Sequence, residues 1–235
     1  GVRNSFGIDL AILCQLEIDR KTVLISDKSW SASQEGPLGL NDLMQGECYD
    51  ARKENICEWH PVTEKQFGYE NLVCSNSFDV VEKENFTGKQ IHTPNGEVVI
   101  DFGQNIAGYV KFGFYAQAGQ CITLYHGECL DQNGNFTQEN FQAPEHRVEQ
   151  CVKYICKEGW NEYKPEKSIF GFRYIKAITD VKVTEKNFTA IAVYSDMPQT
   201  GKFECGHPGI NQLFSNAVWS MKGNFLEIPT DCPTR

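Results

Sequence analysis

No stretch of the 235 residues approaches the roughly 20 uninterrupted apolar residues that a membrane-crossing helix needs, and Gly1-Val2-Arg3 opens no apolar signal core. A membrane partner is therefore not expected. Basic clusters are scarce as well: 22 Lys and Arg stand against 31 Asp and Glu, a formal net charge of −9. Phosphate contacts need grouped cations, so general nucleic-acid binding is excluded. The ten cysteines include no C-x-x-C pair and the five histidines show no ligand spacing, which argues against a zinc knuckle or a thioredoxin-like site. No cofactor and no metal are expected. Internal repeats and low-complexity segments are missing too.

What is present is the composition of a soluble globular protein, with 40% hydrophobic, 12% aromatic and 23% charged residues. The cysteines are spread almost evenly, and in Cys151-Val152-Lys153-Tyr154-Ile155-Cys156 they alternate with apolar residues as buried thiols do. They read as reduced thiols of a cytoplasmic protein, with disulfides outside the cell as the alternative.

Strands dominate the pattern. Residues 10–26 read as a hairpin around Asp19-Arg20-Lys21, and a turn-rich stretch follows from Trp30 to Arg52. Residues 60–92 are polar, weakly patterned and read as a connector. Beyond them Val110, Phe112 and Phe114 share one face of a strand, Cys121–Tyr125 follows the same alternation, and further strands are expected at 151–156, 169–178, 180–184 and 188–195. Short strands with regular turn signals imply an antiparallel sandwich.

The period changes after Pro208. Ile210, Leu213, Phe214, Ala217, Val218, Met221 and Phe225 follow helical spacing, with Pro208 in the first turn and Gly223-Asn224 at the exit. If this helix lacks helical neighbours, its apolar face is open and offers a surface for a homodimer.

Several motifs dissolve on inspection. Asp101-Phe102-Gly103 lacks the companions of a kinase metal triplet, and His126-Gly127-Glu128-Cys129 lacks the P-C-x-x-C of zinc deaminases. Cys232 has no histidine nearby in sequence to activate it, so a packed thiol is the better account. Asp101, Gln104 and Asn105 sit in a glycine-bounded turn; they could contact a sugar or a neighbouring domain, but local backbone bonding is their commoner use. Glu47, Asp50 and Arg52 read as structural polar groups, one alternating set at Phe170, Phe172 and Tyr174 as core, and nothing selects a sugar-stacking residue among Trp30, Trp59, Trp160 and Trp219.

Six landmarks in order carry a resemblance. They are Trp30 to Arg52, Asp101-Phe102-Gly103-Gln104-Asn105-Ile106-Ala107-Gly108-Tyr109, Ala118 to Glu128, Phe170-Gly171-Phe172-Arg173-Tyr174, Gly201 to Cys205, and Ile228-Pro229-Thr230-Asp231-Cys232-Pro233-Thr234-Arg235. Together the series resembles bacterial α-L-rhamnosidases, which are inverting glycoside hydrolases. The resemblance implies a mainly β chain of two antiparallel β-sandwich units, the first truncated, followed by the first helix of an (α/α)6 barrel. In its terms residues 1–66 are the rear part of an N-terminal carbohydrate-binding-like β-sandwich and 67–84 a connector. Residues 85–198 are a second, concanavalin-like β-sandwich, and 199–235 the truncated start of the catalytic barrel.

By the same resemblance Asp231 matches a carboxylate that binds sugar hydroxyls and Arg235 the arginine that holds it. The family motif runs on to a glutamate, the general acid, two residues beyond Arg235, and the general base lies farther still. The implied reading is a non-catalytic, scaffolding stretch of an enzyme acting on rhamnose-containing glycosides, partnered by the missing barrel. A carbohydrate-binding β-sandwich module and a purely structural interaction domain remain the alternatives.

Overall fold

The structure, a computed structural model, describes residues 11–42, 45–65, 73–141 and 149–230. It is mainly β, with one α-helix near the C-terminal end. The first strands are β1 (Gln15–Ile18), β2 (Lys21–Ile25), β3 (Ser31–Ala32), β4 (Leu38–Asp42), β5 (Gly46–Asp50) and β6 (His60–Pro61). Next come β7 (Val80–Thr87), β8 (Lys89–His92), β9 (Val98–Ala116), β10 (Cys121–Gly127), β11 (Cys151–Ile155), β12 (Gly159–Tyr163), β13 (Phe170–Thr179) and β14 (Phe188–Ser195). Helix α1 (Pro208–Asn224) and the short strands β15 (Phe225–Leu226) and β16 (Ile228–Pro229) follow.

The expected hairpin is β1–β2, closed by Asp19 and Arg20, both at positive φ as a two-residue turn matched to strand twist requires. Its residues are exposed throughout. Ten strands form one sheet in the order β4-β5-β11-β10-β13-β9-β14-β7, with β8 and β12 also paired to β9. Among the described residues its ladders are antiparallel except β5–β11, which is parallel. That ladder joins Gly46–Asp50 to the same sheet as the strands of residues 80–195.

Alternation sets the core. Val110, Phe112 and Phe114 of β9 are buried with Ile122 and Leu124 of β10, Val152 and Tyr154 of β11, and Phe170 and Phe172 of β13. Aromatic rings meet edge-on at Phe112–Tyr154, with centroids 5.3 Å apart, and at Phe102–Phe172, 5.9 Å. Gly108 is where β14 comes closest: a Cβ there would lie 1.9 Å from the Ile191 carbonyl oxygen. No side chain fits at that position.

Residues 80–92 correct the connector expected at 60–92. Val80–Thr87 pairs with β14 and Lys89–His92 with β9. The polar sequence of β7 hides a strand because its acids have partners: Glu82 accepts from Tyr109 Oη at 2.6 Å and pairs with Lys164, while Glu84 accepts from Tyr194 Oη at 2.8 Å. The expected 180–184 strand is not formed; Asp180 instead accepts the Cys121 amide at 2.8 Å and the chain turns.

Helix α1 starts at Pro208 and ends at Asn224, as its signals imply. The Asn211 amide locks the approach, accepting from Cys205 N at 2.9 Å and donating to Cys205 O at 2.7 Å. Its seat on the sheet is not the apolar row. Ile210, Leu213 and Met221 are exposed, whereas Trp219 meets Phe86 of β7 at 5.7 Å and Lys222 reaches β7 and β14. Lys222 Nζ bonds Glu84 at 2.6 Å and stands 4.3 Å from the Trp219 ring centroid and 5.1 Å from that of Tyr194. Burial alone would raise the Glu84 carboxyl, but its bonds from Lys222 and Tyr194 prevail and hold it below the usual range. A shared ion pair with two aromatic faces thus docks the helix.

Candidate functional site

A bulge brings the first polar groups of the site together. Opposite β13 the pairing of β9 jumps from Phe172–Ile106 to Tyr174–Asp101, so residues 102–105 loop out of the ladder. Gly103 takes a φ of 78°, which a residue with a side chain resists, and its amide bonds Asp101 Oδ1 at 2.7 Å. Arg173 grips the same carboxylate with both arms, Nε to Oδ1 and Nη2 to Oδ2, each at 2.8 Å. Desolvation pushes the Asp101 carboxyl up, but Arg173 and the Gly103 amide outweigh it and keep it below its ordinary range.

Clamped at its base, the bulge presents Gln104 and Asn105 to one wall of a cleft of about 670 Å³. That size lies within the range of small-molecule sites. Gln104 Nε2 donates to the Asn105 carbonyl at 3.0 Å, and Asn105 Nδ2 donates to Glu128 Oε1 at 3.1 Å. Asn140 Nδ2 donates to Glu128 Oε2 at 2.9 Å, so each carboxylate oxygen holds one amide and keeps lone-pair capacity for a further donor. Behind Glu128, His126 is wholly buried, its ring stacked 4.0 Å from Phe170 and its Nδ1 3.0 Å from Gln150 O. Burial lowers His126 to about 4, so it is a neutral core group.

The opposite wall is the end of α1 and the chain beyond it: Asn216, Trp219, Ser220, Gly223, Asn224, Leu226 and Thr230. The exit from the helix is fixed because the Asn224 carbonyl accepts both Thr230 N at 2.8 Å and Thr230 Oγ1 at 3.1 Å. Glu227, at φ 74°, donates its amide to Ser195 Oγ at 2.8 Å and ties the same turn to β14. Asn224 Oδ1 is buried and has no hydrogen-bond partner among the described residues.

Of the residues singled out from sequence, Asp101, Gln104 and Asn105 do form local bonds, and the last two also reach the cleft. Glu47 is structural: it is 1% exposed, accepting Tyr163 Oη at 2.7 Å and Lys167 N at 2.8 Å. Asp50 and Arg52 form a local bidentate pair at 2.8 Å. Phe170, Phe172 and Tyr174 are core, and of the four tryptophans Trp219 lines the cleft. Asp231, Cys232 and Arg235 lie outside the described residues; Thr230, their neighbour, stands at the cleft wall. Glu128 stands in the sequence within the His126-Gly127-Glu128-Cys129 segment and at the end of the Ala118 to Glu128 landmark, neither of which gives it a role, since its partners are 12 and 23 residues away.

Comparison with known proteins places the chain in context. Residues 1–91 match the α-L-rhamnosidase N-terminal domain, 91–194 the bacterial α-L-rhamnosidase concanavalin-like domain, and 198–235 the bacterial α-L-rhamnosidase 6 hairpin glycosidase domain. An α-L-rhamnosidase of Formosa agariphila is 30% identical over 95% of this chain and 26% of its own length. One from Streptomyces avermitilis is 29% identical over 99% of this chain and 24% of its own. Among solved structures, native α-L-rhamnosidase from Aspergillus terreus superposes with a TM-score of 0.80 at 32% identity, covering 92% of this chain and 26% of that one. The Streptomyces avermitilis enzyme complexed with L-rhamnose gives 0.79 at 30% identity, covering 90% and 21%. The chain thus spans about a quarter of the length of the curated relatives it matches.

Proposed function

Since the chain belongs to the bacterial α-L-rhamnosidase family, we propose that the natural protein carrying it hydrolyses terminal α-L-rhamnose from glycosides with inversion, and that residues 11–230 act in it as scaffold. The observation that carries this reading is the fixed exit of α1, where Thr230 Oγ1 bonds the Asn224 carbonyl and the Glu227 amide bonds Ser195 Oγ, so that Thr230 stands at the cleft wall. In that segment Asp231 would accept hydrogen bonds from rhamnose hydroxyls, and Arg235 would hold its carboxylate ionised and oriented.

Inversion needs one carboxylic acid to protonate the leaving oxygen and one carboxylate to deprotonate water, roughly 6.5–9.5 Å apart, around an oxocarbenium-like transition state. Among the described residues the cleft offers a single acid, Glu128, with both oxygens already bonded by amides. That supports a binding or bracing role rather than the acid–base pair.

The exposed row Ile210, Leu213 and Met221 is the face on which further helical hairpins would pack, or failing them a second copy of this chain. The nine cysteines among the described residues are free thiols, in keeping with a reducing compartment as part of this reading. A proton NMR time course of the natural protein with p-nitrophenyl α-L-rhamnoside tests the proposal. β-L-Rhamnose should appear first; α-L-rhamnose first, or no hydrolysis, would overturn it.

A further inference from the structure

The outer face of the sheet carries an aromatic corner that neither the core nor the cleft employs. Alternation along β9 turns Phe112 and Phe114 into the core and Lys111, Gly113 and Tyr115 outward. Beside it β12 sets Trp160 opposite Tyr115 and Glu162 opposite Gly113. The two rings meet edge-on, their centroids 5.1 Å apart, yet Tyr115 is 76% exposed and Trp160 49%. Gly113 makes room for the indole, since a Cβ there would stand 2.9 Å from Trp160 Cζ2. The indole therefore lies across bare backbone, with half of its surface open to solvent.

What flanks the rings narrows the ligand. Lys111 Nζ pairs with Glu162 Oε1 at 2.9 Å, and both side chains are half-exposed. The same two residues border a depression of about 420 Å³, which continues to the Glu82–Lys164 pair and lies within the range of small-molecule sites. Lys and Glu are depleted from the cores of protein interfaces, so a protein partner suits this corner poorly. Aromatic faces beside exposed donors and acceptors suit a pyranose, whose C–H face stacks on a ring while its hydroxyls bond. Each cation is matched by an acid, which favours a neutral sugar over a uronate or a sulfate.

The corner stands apart from the cleft. Ala107 borders the cleft, and Tyr115 follows about 26 Å along β9 at ~3.3 Å per residue. We propose that Tyr115 and Trp160 form a non-catalytic docking site for a neutral glycan chain, with Lys111 and Glu162 bonding its hydroxyls. A rhamnose-containing chain as the occupant rests on the function proposed above, whereas the site itself uses no residue of the cleft.

The test is hydroxyl-radical footprinting of the natural protein, read by mass spectrometry with and without an α-L-rhamnose tetrasaccharide. Tyr115 and Trp160 should label readily alone and be protected saturably by the sugar, with the 64% exposed Trp59 as a reference whose labelling stays unchanged. Tyr115→Ala should raise the sugar concentration for half protection of Trp160 roughly two- to tenfold, the worth of one aromatic contact. Gly113→Ala, which displaces the indole without removing it, should act in the same direction. Rings that fail to label without sugar are covered by another part of the protein, and rings that label but stay unprotected hold no sugar; either result overturns the inference. Equal protection by a galacturonate tetrasaccharide would overturn the choice of a neutral chain. Hydrolysis of p-nitrophenyl α-L-rhamnoside by the natural protein separates the two claims: activity with unprotected rings sinks this inference alone, and protection without activity sinks the proposed function alone.

Discussion

The large sheet and the two ends of the described chain use the same kinds of residues to opposite effect. In the sheet, Phe112, Phe172 and Ile175 are almost wholly buried. In the β1–β2 hairpin and helix α1, Leu16, Val23, Ile25, Ile210 and Leu213 keep the right periodicity yet remain exposed. Periodicity therefore reports which face is meant to be covered, and not that the cover lies within these residues. Helix α1 is held instead by Lys222, Glu84, Tyr194 and Trp219, a polar and aromatic anchor on its other side.

The contrast breaks first, if it breaks, at the sheet. Phe112→Ala should cost about 3–5 kcal/mol in urea unfolding, the range for a large ring removed from a closed core. A loss near zero would mean the core is not the close-packed unit described.

Acid provides the next test. His126 is neutral in the fold at about 4, against 6.5 unfolded, so the unfolded chain binds the extra proton between those values. Stability should be full above pH 6.5 and fall toward pH 4, by an amount on the order of 3 kcal/mol at about 1.4 kcal/mol per pH unit. His126→Phe, which keeps a ring against Phe170, should flatten that limb of the urea midpoint against pH. The lowered carboxyls of Asp101 and Glu84 act at the acid end of this range, since their stabilisation is present above their unfolded values and lost below.

Smaller effects distinguish the two faces of α1. Lys222→Met should cost about 1 kcal/mol, because the pair it breaks is partly exposed, and should shift Trp219 fluorescence. Leu213→Ala, at a side chain 66% exposed, should change stability by no more than about 0.5 kcal/mol. A larger cost for Leu213 than for Lys222 would show that the open row is covered in solution, and sedimentation would then reveal the second copy.

Legibility in the sequence followed locality. Val110, Phe112 and Phe114, the turn at Asp19-Arg20 and the helix from Pro208 to Asn224 were readable because each depends on neighbours in the chain. β7 was not, because its charges are satisfied by Tyr109, Lys164, Tyr194 and Lys222 from distant elements. The cleft escaped for the same reason. Asn105 meets Glu128 only because the β9–β13 register slips around Arg173, and a register is a property of two strands. The family landmarks, by contrast, pointed to the bulge and to Glu128 without saying what either does.

The scaffold claim meets its most direct test in p-nitrophenol release from p-nitrophenyl α-L-rhamnoside by the purified 235-residue chain, beside its Asp231→Ala variant. The account predicts no release from either. Release by the unaltered chain that vanishes in Asp231→Ala would contradict it, because catalysis would then reside within these residues.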